Sequence, residues 1–255
     1  MTGLEKSEPK VVLFSGSKGG CGCSFITACA SAYLAEKTNK NILLLDLNTG
    51  KKDSRIIFNV ASDDVRDLGD IEDIINELDI SILRKLVINF DSSLNLILPS
   101  LKMEKNKIFC DKNLETILDV LKNNFDIIFI DFPYCLFAQI KLDFSEYIDK
   151  FIIISLADLI SVNNLNLLAN NICCDSSSYN FDVVINKFNI RPSISPSRLN
   201  SILSHPVKAF IPYDRDVEFL FLNRGPFSIF NYNLRIVRNI AELSERIYED
   251  LNYGI

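Results

Sequence analysis

The chain has 255 residues, 48% of them apolar and 24% charged, with a formal net charge of −6. That length suffices for one large α/β domain or two small ones, and the acidic balance argues against a large non-specific nucleic-acid surface. A single histidine, His205, excludes any mechanism that needs a histidine pair, and no apolar run approaches the roughly 18 residues of a membrane span.

The first ten residues, M-T-G-L-E-K-S-E-P-K, hold no apolar signal core, so a cytoplasmic protein is expected. Seven cysteines (21, 23, 29, 110, 135, 173 and 174) form an odd set without a C-x-x-C pair. Several lie in apolar company, where cysteine acts as a small hydrophobe. His205 precedes Pro206 and reads as a surface or turn residue.

In chain order, Lys10 to Gly16 is the first expected strand. Its near-continuous apolar run suits a parallel sheet covered on both faces. It leads into Phe14 to Thr27, F-S-G-S-K-G-G-C-G-C-S-F-I-T, and then into an alanine-rich helix expected over Ser24 to Lys37. Strand, glycine-rich loop and helix is the layout of a phosphate-binding loop. The glycines let successive N–H groups converge on one oxyanion, and the helix N-terminus adds partial positive charge. A serine at the end of the loop, Ser24, can place its hydroxyl on Mg²⁺. The lysine that normally precedes it is absent. Cys23 stands there, and the loop's one lysine is the earlier Lys18.

Ile42 to Leu45 is the second strand and ends at Asp46, where an acid points into the ligand crevice of an open α/β sheet. Asp63 to Asp73 reads as a solvated loop, and Ile71 to Leu78 and Ile82 to Val87 have helical spacing. Leu94 to Leu98 is a short strand before Pro99. Lys102 to Lys112 reads as a loop, and Asn113 to Asn123 as a helix with one apolar face. Phe125 to Pro133, F-D-I-I-F-I-D-F-P, is a buried strand ending in Asp131. Phe151 to Ser155, Phe181 to Asn186 and Val207 to Ile211 are further strands, with a helix from Leu159 to Ile172 after the first of them. Arg191 to Ser197 reads as a loop. The final helix, Asn233 to Asn252, spaces Ile236, Ile240, Leu243, Ile247 and Leu251 by three and four. It mixes glutamates with arginines, so it is expected to dock on the core and does not support membrane binding.

Read as K-G-G-x-G-x-S, Lys18 to Ser24 resembles the deviant Walker A loop of the MinD/ParA family. An early lysine with a small residue at the late position is similar to the CpaE/TadZ branch. The Asp131 strand resembles the family's Walker B segment, D-L-N its D-x-D segment with Asn48 for the second acid, and I-P-Y-D its I-P-x-D segment. Together these span about Lys10 to Leu251. CpaE proteins usually carry an extra N-terminal receiver-like domain, and no match to it is seen in these residues.

The resemblance implies an α/β fold of the P-loop NTPase type: a mainly parallel twisted sheet of seven or eight strands, flanked by helices on both faces, in one domain over 1–255. It implies ATP and Mg²⁺ as cofactors and an ATP-dependent homodimer that positions something in a bacterial cell through an unidentified protein partner. Lys18 and Asp46 are its candidate catalytic residues, Lys18 reaching the partner's nucleotide. Gly19, Gly20, Cys21, Gly22, Cys23, Ser24, Phe25, Asn186, Pro212 and Asp214 are its candidate nucleotide contacts. Ser24, Asp46 and Asp131 are its candidate Mg²⁺ residues. The amide of Asn186 could read adenine by donating and accepting at once. With Cys23 and Asn48 in place, hydrolysis is expected to be slow or absent. Three alternatives stay open: an ATPase using Lys18 for the missing lysine, a scaffold that binds no nucleotide, and an iron–sulfur protein using Cys110 and Cys135, as in the nitrogenase iron protein of the same superfamily.

Overall fold

The computed structural model describes residues 8–60, 65–102, 111–136, 146–173, 181–190 and 193–253. Cys110, Cys174 and most of the expected loop at Lys102 to Lys112 lie outside them. The strands are β1 (Lys10–Gly16), β2 (Ile42–Asp46), β3 (Ile88–Asn89), β4 (Leu94–Ile97), β5 (Ile127–Phe132), β6 (Lys150–Leu156), β7 (Phe181–Asn186) and β8 (Val207–Ile211). The helices are α1 (Cys23–Lys37), α2 (Asp53–Ile57), α3 (Ile80–Leu83), α4 (Asp111–Lys122), α5 (Leu159–Cys173), α6 (Pro196–Ile202), α7 (Arg215–Arg224) and α8 (Arg235–Tyr253).

All eight strands join one sheet in the order β3-β4-β2-β5-β1-β6-β7-β8. Every pairing is parallel except β3 with β4 at the edge. The expected α/β class and strand number are therefore found. β1 shows why its sequence is apolar without interruption. Val11 and Leu13 face one core and Val12 and Phe14 the other, all at most 1% exposed. Because successive side chains alternate across a strand, a sheet covered on both faces needs apolar residues at every position.

Helices α4, α5 and α6 cover one face, and α1, α7 and α8 the other. α1 carries Ala28, Ala30, Ala32 and Ala35 among its buried residues. These small side chains let the helix lie close to the sheet below the loop. α8 buries Ile236, Ile240, Leu243, Ile247 and Leu251, as its spacing predicts. Its acids are tied down as well. Glu245 accepts from the Tyr33 hydroxyl. Asp250 pairs with Lys208 at 2.9 Å and with the buried Lys150, which also reaches Asp182 at 2.9 Å. The helix is thus docked through both its apolar and its acidic residues. Among the described residues no helix is long and apolar enough to cross a membrane.

Several elements depart from the sequence reading, among them α2 and β3, which it did not foresee. Arg191 to Ser197 was expected as a loop, but Ser195 caps α6 by accepting from the Arg198 N–H, with Pro196 in its first turn. Proline is tolerated there because the first helical N–H has no intrahelical partner. α7 was not expected at all. Between Leu68 and Glu77 the chain forms short 3₁₀ turns in place of the regular helix its spacing suggests, and the second helical stretch shortens to α3.

Ile240 is fully buried between α8 and the sheet. Ile240→Ala is expected to cost about 2–5 kcal/mol through lost burial and the cavity left behind. Guanidinium unfolding would show this as a lower midpoint, and an unchanged midpoint would contradict the docking of α8.

Candidate functional site

The parallel strands end on the side where β1 runs into the glycine-rich loop, and a cavity of about 440 Å³ opens there. That volume is within the roughly 300–1,000 Å³ range of small-molecule sites. Gly20 and Gly22 hold φ of 79° and 90°, a left-handed backbone that strains any residue with a Cβ. At Gly22 a Cβ would also collide with the Asn186 side chain. Gly22 is the N-cap of α1, whose first turn therefore faces the cavity.

Most of the expected residues meet here. Lys18, Gly19, Gly20, Cys21, Gly22 and Cys23 line the cavity, followed by Ser24 and Phe25. Asp131, Asn186, Pro212 and Asp214 reach it from β5, from β7 and from the turn after β8.

Asp46 does not line it. Asp46 and Asp131 are paired across the adjacent strands β2 and β5, and they are 3% and 4% exposed. One Asp46 oxygen accepts from the N–H and the side-chain amide of Asn48, both at 2.8 Å. Its other oxygen accepts from the Ser54 hydroxyl. Asp46, expected as a catalytic and Mg²⁺ residue, thus stands one layer behind the cavity wall, beside Asp131. It fixes Asn48, which is the residue of that segment facing the cavity.

Asp131, equally buried, is the member of the pair that lines the cavity. Burial pushes its carboxyl up first, and the charge of Asp46 pushes it further, to about 7, against hydrogen bonds from Ser24, Cys23 and Asn48. Burial likewise raises Asp46, which Ser54 and Asn48 partly oppose. The Cys23 Sγ donates to Asp131 Oδ1 at 3.3 Å. Burial, then the charge of Asp131, then Cys21 hold the Cys23 thiol well above its ordinary value. It stays protonated and serves as a neutral donor, neither a cation nor a nucleophile.

Two other expected contacts have structural duties. The Asn186 amide nitrogen donates to the Cys21 carbonyl at 2.9 Å, and its Oδ1 accepts from the Lys187 N–H at 2.9 Å. These bonds use one of the amide's two N–H groups and one lone pair of its oxygen, and they clamp the loop to β7. Asp214 caps α7 by accepting from the Asp216 and Val217 N–H groups. Lys18 pairs with Asp158 at 2.9 Å. Sequence reading missed Phe221 and Ile236 in the cavity wall, with Phe25 edge-on to Phe221 at 4.6 Å between centroids. Apolar residues on helices carry no sequence mark that separates wall from core.

The residues present suit Mg²⁺. It takes hard oxygen ligands, often one or two carboxylates with water and phosphate making up the rest. Asp131 is a buried carboxylate without an ion pair among the described residues, and Ser24 bonds to it. Among those residues no group of three or more His, Cys, Asp and Glu is arranged to hold a metal unaided. Cys135 is exposed at the cavity.

The fold is that of the MinD/ParA P-loop ATPases. A ParA family ATPase from Chlorobium tepidum TLS is 20% identical with a TM-score of 0.76, over 94% of this chain and 99% of that one. The septum site-determining protein MinD from Pyrococcus horikoshii OT3, complexed with Mg-ADP, is 16% identical with a TM-score of 0.74, over 94% and 96%. A putative plasmid partition protein from Borrelia burgdorferi B31, bound to AMPPNP, is 20% identical with a TM-score of 0.69, over 95% and 99%. No protein-family model and no curated protein matches the sequence.

The raised Asp131 makes a pH prediction. Its ordinary value is 3.8 and its folded value about 7, so the folded protein holds this proton more tightly than the unfolded chain. The stability this contributes is fully present below the unfolded value and lost as pH rises through about 7. Asp131→Asn, which mimics the protonated acid, should flatten that decline and raise Tm above wild type at about pH 8, measured without Mg²⁺ or nucleotide. Parallel Tm–pH curves for the two proteins would contradict it.

Proposed function

We propose that the chain is an ATP-binding, Mg²⁺-dependent dimeric switch of the MinD/ParA type. It acts in spatial organisation or positioning inside a bacterial cell through a protein partner, with slow or absent hydrolysis. One domain carries the whole site, and the loop pattern of Lys18 with Cys23 supports the CpaE/TadZ branch. The observation that carries the reading is a glycine-rich loop and helix N-terminus facing the unpaired Asp131 across a nucleotide-sized cavity. Oriented N–H groups and a helix N-terminus stabilise a phosphate, and Asp131 with Ser24 would hold the metal. The Mg-ADP and AMPPNP of the two structures cited above support the choice of ligand.

Weak turnover follows from the same geometry. Phosphoryl transfer relies on cations aimed at the charge of the transferring group. Cys23 supplies a neutral thiol where that cation normally stands, and Asn48 cannot act as an acid or base. Lys18 could help only after leaving Asp158, and in the dimer it would act on the partner's nucleotide. The neutral thiol also favours a second reading, a scaffold that binds no nucleotide.

Calorimetry with ATP and ADP, with and without Mg²⁺, separates the two readings. A charge-assisted hydrogen bond contributes roughly 1.5–3 kcal/mol, so Cys23→Lys should tighten ATP binding by about 10- to 100-fold. No heat with either nucleotide would select the scaffold. ATP should promote a dimer more than ADP does, and Lys18→Ala should abolish that dimer while leaving a folded monomer. Sedimentation showing an unchanged ATP-driven dimer in Lys18→Ala would remove the trans role of Lys18.

A further inference from the structure

Three lysines line the cavity: Lys18, Lys51 and Lys187. Two are engaged. Lys18 pairs with Asp158 at 2.9 Å. Lys187 stands over the Tyr213 ring, with its Nζ 5.6 Å from the centroid. Lys51 is exposed and has neither an ion pair nor an aromatic contact among the described residues.

The base of Lys51 is well fixed. Asn48 just before it donates to Asp46 Oδ1 and to the Asp131 carbonyl at 3.3 Å. Gly50 turns with φ 76°, and its N–H donates to the Ser100 carbonyl at 2.8 Å. The turn that carries Lys51 is thereby anchored to the ends of β2 and β5, beside the two buried acids. A flexible ammonium springs from a rigid base at the cavity wall.

The cavity needs such a cation. Four carboxylates line it, Asp53, Asp131, Asp214 and Glu218, against the three lysines. A polyphosphate entering this wall meets excess negative charge, and the loop position that should offset it is the neutral Cys23. We propose that Lys51, on the turn after β2, supplies the positive charge for the phosphate chain of the nucleotide in place of the loop lysine that Cys23 supplants. The proposal rests on the nucleotide reading above and names the residue that makes it workable.

The test is calorimetry with Mg-ATP, Mg-ADP and AMP on Lys51→Ala and Lys51→Arg, each made in wild-type and in Cys23→Lys protein. Lys51→Ala should weaken ATP by about 10-fold or more and leave AMP nearly unchanged, as expected for a charge on the distal phosphates. Lys51→Arg should stay within a few-fold of wild type. In the Cys23→Lys background, Lys51→Ala should cost far less, because the loop again carries its cation. Equal losses for ATP and AMP, or an unchanged ATP affinity in Lys51→Ala, would overturn the proposal while leaving nucleotide binding intact. Wild-type protein that binds neither ATP nor ADP would overturn the nucleotide reading and this proposal together. Should Cys23→Lys fail to fold, the ATP-against-AMP contrast in Lys51→Ala alone decides.

Discussion

Two carboxylates side by side at the ends of parallel strands, Asp46 on β2 and Asp131 on β5, govern the chemistry of this molecule. A buried charge is costly unless it is paired or fully hydrogen-bonded. The protein resolves half of the problem itself. Asp46 receives three hydrogen bonds, from Asn48 and Ser54, and in return holds the start of the next turn in place. Asp131 receives weaker help, and its carboxyl is pushed up to about 7. At neutral pH it is poised between holding a proton and holding a cation. A buried carboxylate in that state suits a hard cation such as the Mg²⁺ proposed above.

Cys23 belongs to the same balance. A lysine in that position would bring a positive charge into the loop next to Asp131. The thiol donates a hydrogen bond and adds no charge. Loop shape and loop charge are therefore separated in this chain. Shape survives in the left-handed glycines and in the Asn186 clamp, which ties the loop to β7. Charge at that position has to come from elsewhere, and of the nearby lysines Lys18 lies earlier in the loop while Lys51 and Lys187 lie on other segments.

Much of this was legible in the sequence because it rests on local pattern. Unbroken apolar runs such as Ile127 to Ile130 demand a strand with both faces covered, and the glycine spacing in Gly16 to Gly22 demands a tight turn before a helix. The sheet and the loop followed from those. What escaped depends on contacts far apart in the chain. Asp46 looks identical whether it faces a ligand or a serine eight residues later, because strand-end position says nothing about the hydrogen-bond partner. Asn186 likewise shows an amide at the right strand end, while its partner is the Cys21 carbonyl 165 residues away. α6 was misread for a local reason: its prolines and serines favour loops inside an element but cap and start a helix at its beginning. α7 begins just after Asp214, where a cap and a ligand contact look the same.

The Lys18–Asp158 pair shows how the resting arrangement can give way. Burial raises Asp158, but the Ser161 and Lys18 hydrogen bonds outweigh it and hold the carboxyl below its ordinary value. Both side chains are about one-third exposed, at 30% and 34%. Ion pairs so open to water typically contribute about 0–1 kcal/mol. Asp158 keeps its other partners, since the Ser161 N–H donates to Oδ1 at 2.9 Å and its hydroxyl to Oδ2 at 2.7 Å. Withdrawing Lys18 would therefore leave no buried, unsatisfied anion behind. The pair orients the lysine at the edge of the cavity without locking it there, and a phosphate chain with several negative charges is a stronger partner than one hydrated carboxylate. Release of Lys18 is thus a small cost in the energetics of the loop, and the larger demand is the charge that Cys23 does not provide.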